Sequence, residues 1–439
     1  MKSSSRGLPI DVIVEIAEQS DPITLLRCAA ACKQLRRAIS GEGLRRELHL
    51  RNAAGFVPVL LRGFYYQPRH GSAAHGFLHK PIRFVPAPAG TRHGQLPSGG
   101  DTVQTLALGF EPVAARGGFI VARTDSSSGK VCCPMTGYVR LIPLPRKDLG
   151  TSYLLLTGDD GGGVGASSDD DSKLHPFRLL AVQLCQPTYQ GSLRVKVHAL
   201  TAVTGKWGTT TKIPVHGSGG GRHQQPSAEL LGRAPVVVNG VAYFLGVFHS
   251  FNHQHPHPPS YYFLLRVDVS HHGGDGRIGT KAATIMPAPD GLKPPSCSRC
   301  TSSKVAAAVV TAKQLLLSPS RDRKSVALLV GRRSTRVEIY TLDLATSAWA
   351  RATEVVDTAG VRRRPCDLSE SEVELLWSGE ASGVMVLRLG GTVCQLDRAT
   401  MAIRTLDEEF PEFRYRNRHT LLPYEMGLSS WVPSISISV

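Results

Sequence analysis

The chain has 439 residues and a formal net charge of +16, with 41% hydrophobic residues and no run of 18 or more apolar residues, so no transmembrane helix is predicted. Its 44 Gly and 29 Pro against 20% charged residues fit a turn-rich β-protein and argue against a helical bundle. The basic residues are scattered and aromatics make up only 6%, which favours a solvated basic surface over a nucleic-acid groove.

Length allows two or three domains, or fewer if one is a large β-architecture. The nine Cys are odd in number, irregularly spaced and mostly embedded in apolar runs. They read as reduced thiols of an intracellular protein. "MKSSSRGLPIDV" lacks the apolar core and cleavage site of a secretory signal.

In chain order, residues 1–7 read as a flexible tail and 8–50 as short helices. Asp11 caps a first turn, and Asp21 with Pro22 restarts the helix. Apolar residues recur at helical spacing through Val12, Ile13, Ile16 and Ala17, then Leu25, Leu26, Ala29, Ala30 and Cys32, then Leu35 and Ile39. About 40 helical residues bury too little surface to be stable alone. Cys28 and Cys32 share a helical face and form no disulfide within a regular helix. The segment therefore packs against the rest of the chain or against another protein.

Residues 51–76 lose the period and read as a linker. From residue 77 to 439 the pattern is all-β: short runs such as "GGFIVAR", "SYLLLTG", "FRLLAVQL", "LRVKVHAL", "YYFLLRVDV", "SVALLVGR", "RVEIYTLDL" and "VMVLRLGG", bounded by turn residues. A faint repeat places a Thr-centred turn after a strand, at Thr136, Thr204, Thr346 and Thr400, with one unit hidden around "LRVDVSHHGGDG". Four-stranded repeats of about 40–50 residues predict a β-propeller, with roughly six to eight blades in this length. "GDDGGGVGASSDDDS", "HGSGGGRHQQPS" and "HSFNHQHPHPPS" are expected to be loops.

"LPIDVIVEIAEQSDPITLLRCAAACKQLRRAI" resembles the F-box, the adaptor-docking motif of cullin-based ubiquitin ligases. The resemblance implies that the missing half of the helical core is a Skp-type adaptor, and through it a cullin. It assigns Leu8 and Pro9 to the adaptor contact, with Val12, Ile13, Ile16, Leu25, Leu26, Cys32 and Leu35 as packing and interface residues. The sequence departs from the family at Leu35, where many members carry Trp, and at Ala31, where Val is common. "AARGGFIVAR…VCCPMTGYVRLIPLP" and "LLPYEMGLSSWVPSI" resemble the C-terminal regions of grass F-box proteins, and "APVVVNGVAYFLG" is similar to a kelch-type strand pair. The whole is read as an α+β multidomain chain: a helical F-box followed by a propeller-like substrate-recognition domain. It implies a non-catalytic subunit of a Skp–cullin–F-box ligase, acting in the cytoplasm or nucleus on an unknown target and needing no cofactor. Two other readings stay open: a propeller scaffold with no ligase role, and a basic nucleic-acid-associated protein.

Other chemistry has less support. His249, His253, His255 and His257 offer imidazoles, but the flanking prolines and the lack of acidic or Cys ligands favour a plain loop. Cys297 and Cys300 have the spacing of half a zinc site, with no second pair. Asp169–Asp171 lack calcium-loop spacing, and neither GxSxG, HExxH nor a P-loop is present. "LSPSRDRKS" and "RRRP" read as solvated loops.

Overall fold

The computed structural model describes residues 60–67, 83–86, 111–134, 138–145, 150–157, 177–185, 193–202, 204–216, 227–249, 261–269, 283–289, 292, 310–332, 336–357, 373–389, 392–406 and 420–425, together with 9, 12, 13, 15 and 16. Two strands from the N-terminal part, β1 (Leu61–Gln67) and β2 (Arg83–Pro86), open the β-region. The first four-stranded sheet is an antiparallel meander of β3 (Glu111–Arg116), β4 (Phe119–Arg123), β5 (Ser128–Cys133) and β6 (Tyr138–Pro143). The second holds β7 (Thr151–Thr157), β8 (Phe177–Cys185), β9 (Arg194–Thr201) and β10 (Thr211–His216). In the third, a broken inner strand, β11 (Ser227–Leu230) and β12 (Val236–Val238), pairs with β13 (Val241–His249), followed by β14 (Tyr261–Asp268) and β15 (Ala283–Pro287). A two-residue parallel bridge, Val215 with Ala283 and His216 with Thr284, links the second sheet to the third.

The fourth sheet is β16 (Leu315–Pro319), β17 (Val326–Arg332), β18 (Arg336–Asp343) and β19 (Ala348–Asp357). The fifth is β20 (Val373–Ser378), β21 (Val384–Leu389), β22 (Thr392–Asp397) and β23 (Ile403–Thr405). The last strand, β24 (Thr420–Glu425), returns to pair with β1, giving a sixth sheet in the order β2-β1-β24. Inner strands meet round a circle: β24 with β3, β3 with β7, β12 with β16, β16 with β20 and β20 with β24, while β11 lies on β8. The described residues thus form six radial sheets in a closed ring, the propeller that the strand spacing predicted, at the low end of the expected blade range.

The reason for closure is visible in the cores. Each seam between neighbouring sheets holds its own apolar cluster. A middle strand is therefore buried on both faces and reads as a continuous apolar run: Phe119 to Arg123 are all buried, as are Val326 to Gly331. Backbone groups within each sheet are paired by the ladders, so burial leaves few of them unsatisfied.

The repeat also has a structural counterpart. Thr204, Thr346 and Thr400 each sit in the turn between the third and fourth strands of a sheet. Asp343 accepts from Ala345 N–H at 2.9 Å and from Thr346 Oγ1 at 2.7 Å; Asp397 accepts from Ala399 N–H at 2.8 Å. The next residue is left-handed in all three turns, at Gly205 (φ 62°), Ser347 (φ 55°) and Met401 (φ 59°). The unit expected near "LRVDVSHHGGDG" is the third strand of the third sheet, β14. Thr136 lies outside the described residues.

One boundary differs from the sequence reading. The segment 51–76, read as a linker, contributes β1, the middle strand of the closing sheet. Phe64 faces Trp377 and Val386 of the fifth sheet, and Tyr65 faces Ile120 and Cys132 of the first. With both faces buried, β1 shows no alternation, and periodicity alone does not reveal it.

Candidate functional site: the two faces of the ring and its closing seam

Hairpins between first and second strands, and between third and fourth, turn at one face of the ring. Gly117–Gly118 and Asn239–Gly240, with positive φ at both positions, make the tight turns β3–β4 and β12–β13. Leu61 at the start of β1 and Glu425 at the end of β24 are paired on this same face, so the N-terminal segment joins the ring here. The β7–β8 and β14–β15 connections also leave from this side. From the opposite face the chain departs at His216, His249, Pro287, Asp357 and Thr405 and returns at Ser227, Tyr261, Leu315, Val373 and Thr420. Most of the long connections thus belong to the face turned away from the N-terminal attachment, and exposed connections on a rigid scaffold are where binding residues usually sit.

The seam at the attachment is polar. The Glu425 carboxylate accepts from the backbone N–H groups of Glu380 (3.0 Å), Ala381 (3.1 Å) and Ser382 (2.8 Å), and also from Ser382 Oγ. Its backbone oxygen accepts from Gly118 N–H at 2.8 Å. Arg116, at the end of β3, donates to Glu380 at 2.6 Å with both side chains largely buried. These bonds fasten the first, fifth and closing sheets together. Sequence reading missed all of them, because the partners are more than 40 residues apart, 264 for Arg116 and Glu380, and no motif marks them.

Of the residues assigned to adaptor contact, Leu8, Leu25, Leu26, Cys32 and Leu35 lie outside the described residues, as does Ala31. Pro9 is exposed, and Ile13 N–H donates to its carbonyl at 3.2 Å. Val12, Ile13, Glu15 and Ile16 have helical backbone. Val12 and Ile16 are 38% and 55% exposed, four residues apart and so on one helical face.

His253, His255, His257, Cys297 and Cys300 lie outside the described residues, and His249 stands 3.4 Å from Glu229. Among the described residues no group of three or more His, Cys, Asp or Glu is placed to hold a metal. Cys132 is buried beside Tyr65, and burial, with Cys133 adding to it, pushes its thiol up to about 12, so it stays protonated and unreactive. Burial likewise raises Tyr262 to about 12, and its hydroxyl donates to Val310 O at 2.8 Å. These are structural groups with no substrate-facing geometry.

Comparison with known proteins bears on the two parts separately. Residues 6–51 match the F-box-like family model. No curated protein matches the chain. Among solved structures, the β-propeller domain of Cps50 (Swd1) from Myceliophteria thermophila is similar at 14% identity, over 67% of this chain and 71% of that one, with a TM-score of 0.29. The periplasmic gluconolactonase PpgL of Pseudomonas aeruginosa is similar at 11% identity over 84% and 97%, with a TM-score of 0.31. The WD40 domain of SCAP from fission yeast is similar at 8% identity over 72% and 74%, with a TM-score of 0.25. At those scores the blade count rests on this chain's own strand pairing, and nothing about activity follows from the neighbours.

Proposed function

We propose that the chain is the substrate-recognition subunit of a Skp–cullin–F-box ubiquitin ligase, acting in the cytoplasm or nucleus. The observation that carries the reading is the F-box-like segment at residues 6–51, whose described helical face presents Val12 and Ile16 to solvent. F-box domains generally bind Skp-type adaptors, and an apolar face of this kind needs such cover. The ring would hold the target with no bond chemistry of its own. Tethering raises the effective concentration of target beside the ubiquitin-carrying subunit, and the catalytic groups belong to that partner. The attachment of the N-terminal segment to the short-turn face supports recognition through the opposite, long-connection face.

Co-purification with a Skp-type adaptor tests this, wild type beside Leu8→Ala/Pro9→Ala and Val12→Asp/Ile16→Asp. Wild type is expected to retain the adaptor, and both double variants to lose it while the ring keeps its β-sheet circular dichroism. A folded wild-type chain that retains no adaptor overturns the ligase role.

A further inference from the structure

Strand β9 reads Arg194-Val195-Lys196-Val197-His198, with Leu193 before it. Side chains alternate across a strand. Leu193, Val195 and Val197 enter the core between the second and third sheets, which leaves Arg194, Lys196 and His198 on the opposite face. The antiparallel register sets Lys212 of β10 directly across from Lys196, and directly opposed residues share a face, so Lys212 joins the same column. On the other side, β8 places neutral Gln183 across from Lys196 and Cys185 across from Arg194. Arg194 and Lys212 are exposed, while Lys196 and His198 are half-buried.

Among the described residues no ion pair involves Arg194, Lys196 or Lys212, whereas Arg116, Arg332 and Arg388 each sit on a carboxylate, Glu380, Glu338 and Glu374. Like charges directly opposed across strands cost stability, so Lys196 and Lys212 are a poor choice for folding alone. Burial, and after it Lys196, hold the His198 imidazole below its ordinary pKa.

We propose that this column is a docking site for an extended acidic segment of a partner protein, with carboxylates at alternate positions. Residues two apart on one strand face repeat at about 6.6–6.8 Å, and an extended peptide repeats its own alternate side chains at the same interval. Arg194 and Lys196 therefore match two carboxylates in register, with Lys212 reinforcing the second, while the uncharged His198 beside Thr210 marks the end of the cationic stretch. Single-stranded nucleic acid fits less well. The neighbouring aromatic, Trp207, stands edge-on to His198 and gives its indole N–H to Pro143 O at 2.7 Å, so it is tied into a seam between sheets and offers no open stacking platform. The site is independent of adaptor docking, and its test leaves that reading untouched.

The test is fluorescence anisotropy on the full chain with a labelled 12-residue peptide of alternating Glu and Thr, at low salt. Wild type is expected to bind it in preference to a peptide of the same composition with its Glu residues contiguous. Lys196→Glu/Lys212→Glu should weaken binding roughly tenfold or more, and Arg336→Glu/Lys324→Glu, a charge-matched change elsewhere, less than twofold. Lys196→Gln/Lys212→Gln should weaken binding without lowering the thermal midpoint, because the opposed lysines repel. Equal losses in both charge-reversed variants would reduce the effect to net charge and overturn the site. A drop of several degrees in the Gln variant would make the lysines structural and overturn it too. Uridine oligonucleotide binding that depends on Lys196 and Lys212, with no peptide binding, would reassign the column to nucleic acid.

Discussion

The fourth sheet and the closing sheet do the same job by different means. In the fourth, β16 to β19 follow one another through short hairpins, so each pairing forms between near neighbours in sequence. In the closing sheet, Tyr65 pairs with Leu422, and nearly the whole chain must be in place first. Pairing at such separation carries a loop-closure cost that hairpins avoid. The structure offsets it with apolar contacts on both faces of β1 and with the Glu425 and Arg116 bonds to the fifth sheet. The closing sheet also has three described strands where the fourth has four. Beside it, Val139 and Leu141 on the outer strand of the first sheet stand 46% and 68% exposed. The seam where chain ends meet is thus the place where the ring is most open to disruption.

The largest expected effect separates the N-terminal segment from the ring. Removing residues 1–59 leaves β1 intact and should preserve cooperative thermal unfolding, whereas removing residues 1–68 should abolish it. The second truncation takes away buried Leu61, Phe64 and Tyr65 together. At about 1.5–3 kcal/mol for each buried side chain, that loss rivals the roughly 5–15 kcal/mol that holds a typical domain together. Equal melting of both truncated chains would show that the ring does not depend on β1.

Glu425→Ala should cost less, about 2–3 kcal/mol by chemical denaturation, since it strips a charged acceptor from three backbone donors. Glu425→Gln should fall between it and wild type. A smaller cost is expected away from the closing sheet. Trp349 Nε1–H donates to Pro287 O at 2.9 Å, and Trp207 makes the equivalent bond to Pro143 two seams earlier. Trp349→Phe keeps most of the ring volume and should lose about 1 kcal/mol. A Trp349→Phe cost equal to that of Glu425→Ala would erase the distinction between closing and ordinary seams.

Much of the ring was legible in sequence because its local units are. Runs such as "FIVAR", "VALLVGR" and "VMVLRL" became β4, β17 and β21. The Thr-centred turns were readable for the same reason: Asp343 and Thr346 bond within four residues of each other. By contrast, β1 was read as linker, and the Glu425 seam left no trace in sequence.

The basic column shows the same division. Sequence reading found the contiguous runs Arg362–Arg364 and Arg321–Lys324, yet not the alternating Arg194, Lys196 and His198, nor Lys212, which joins their face once β9 pairs with β10. What the sequence by itself determined was the strand inventory, the turns and the F-box-like segment, since short-range periodicity and backbone preference encode them. What only the tertiary structure decided was the number of sheets and the strand that closes them, because both depend on pairing between residues that the chain keeps far apart.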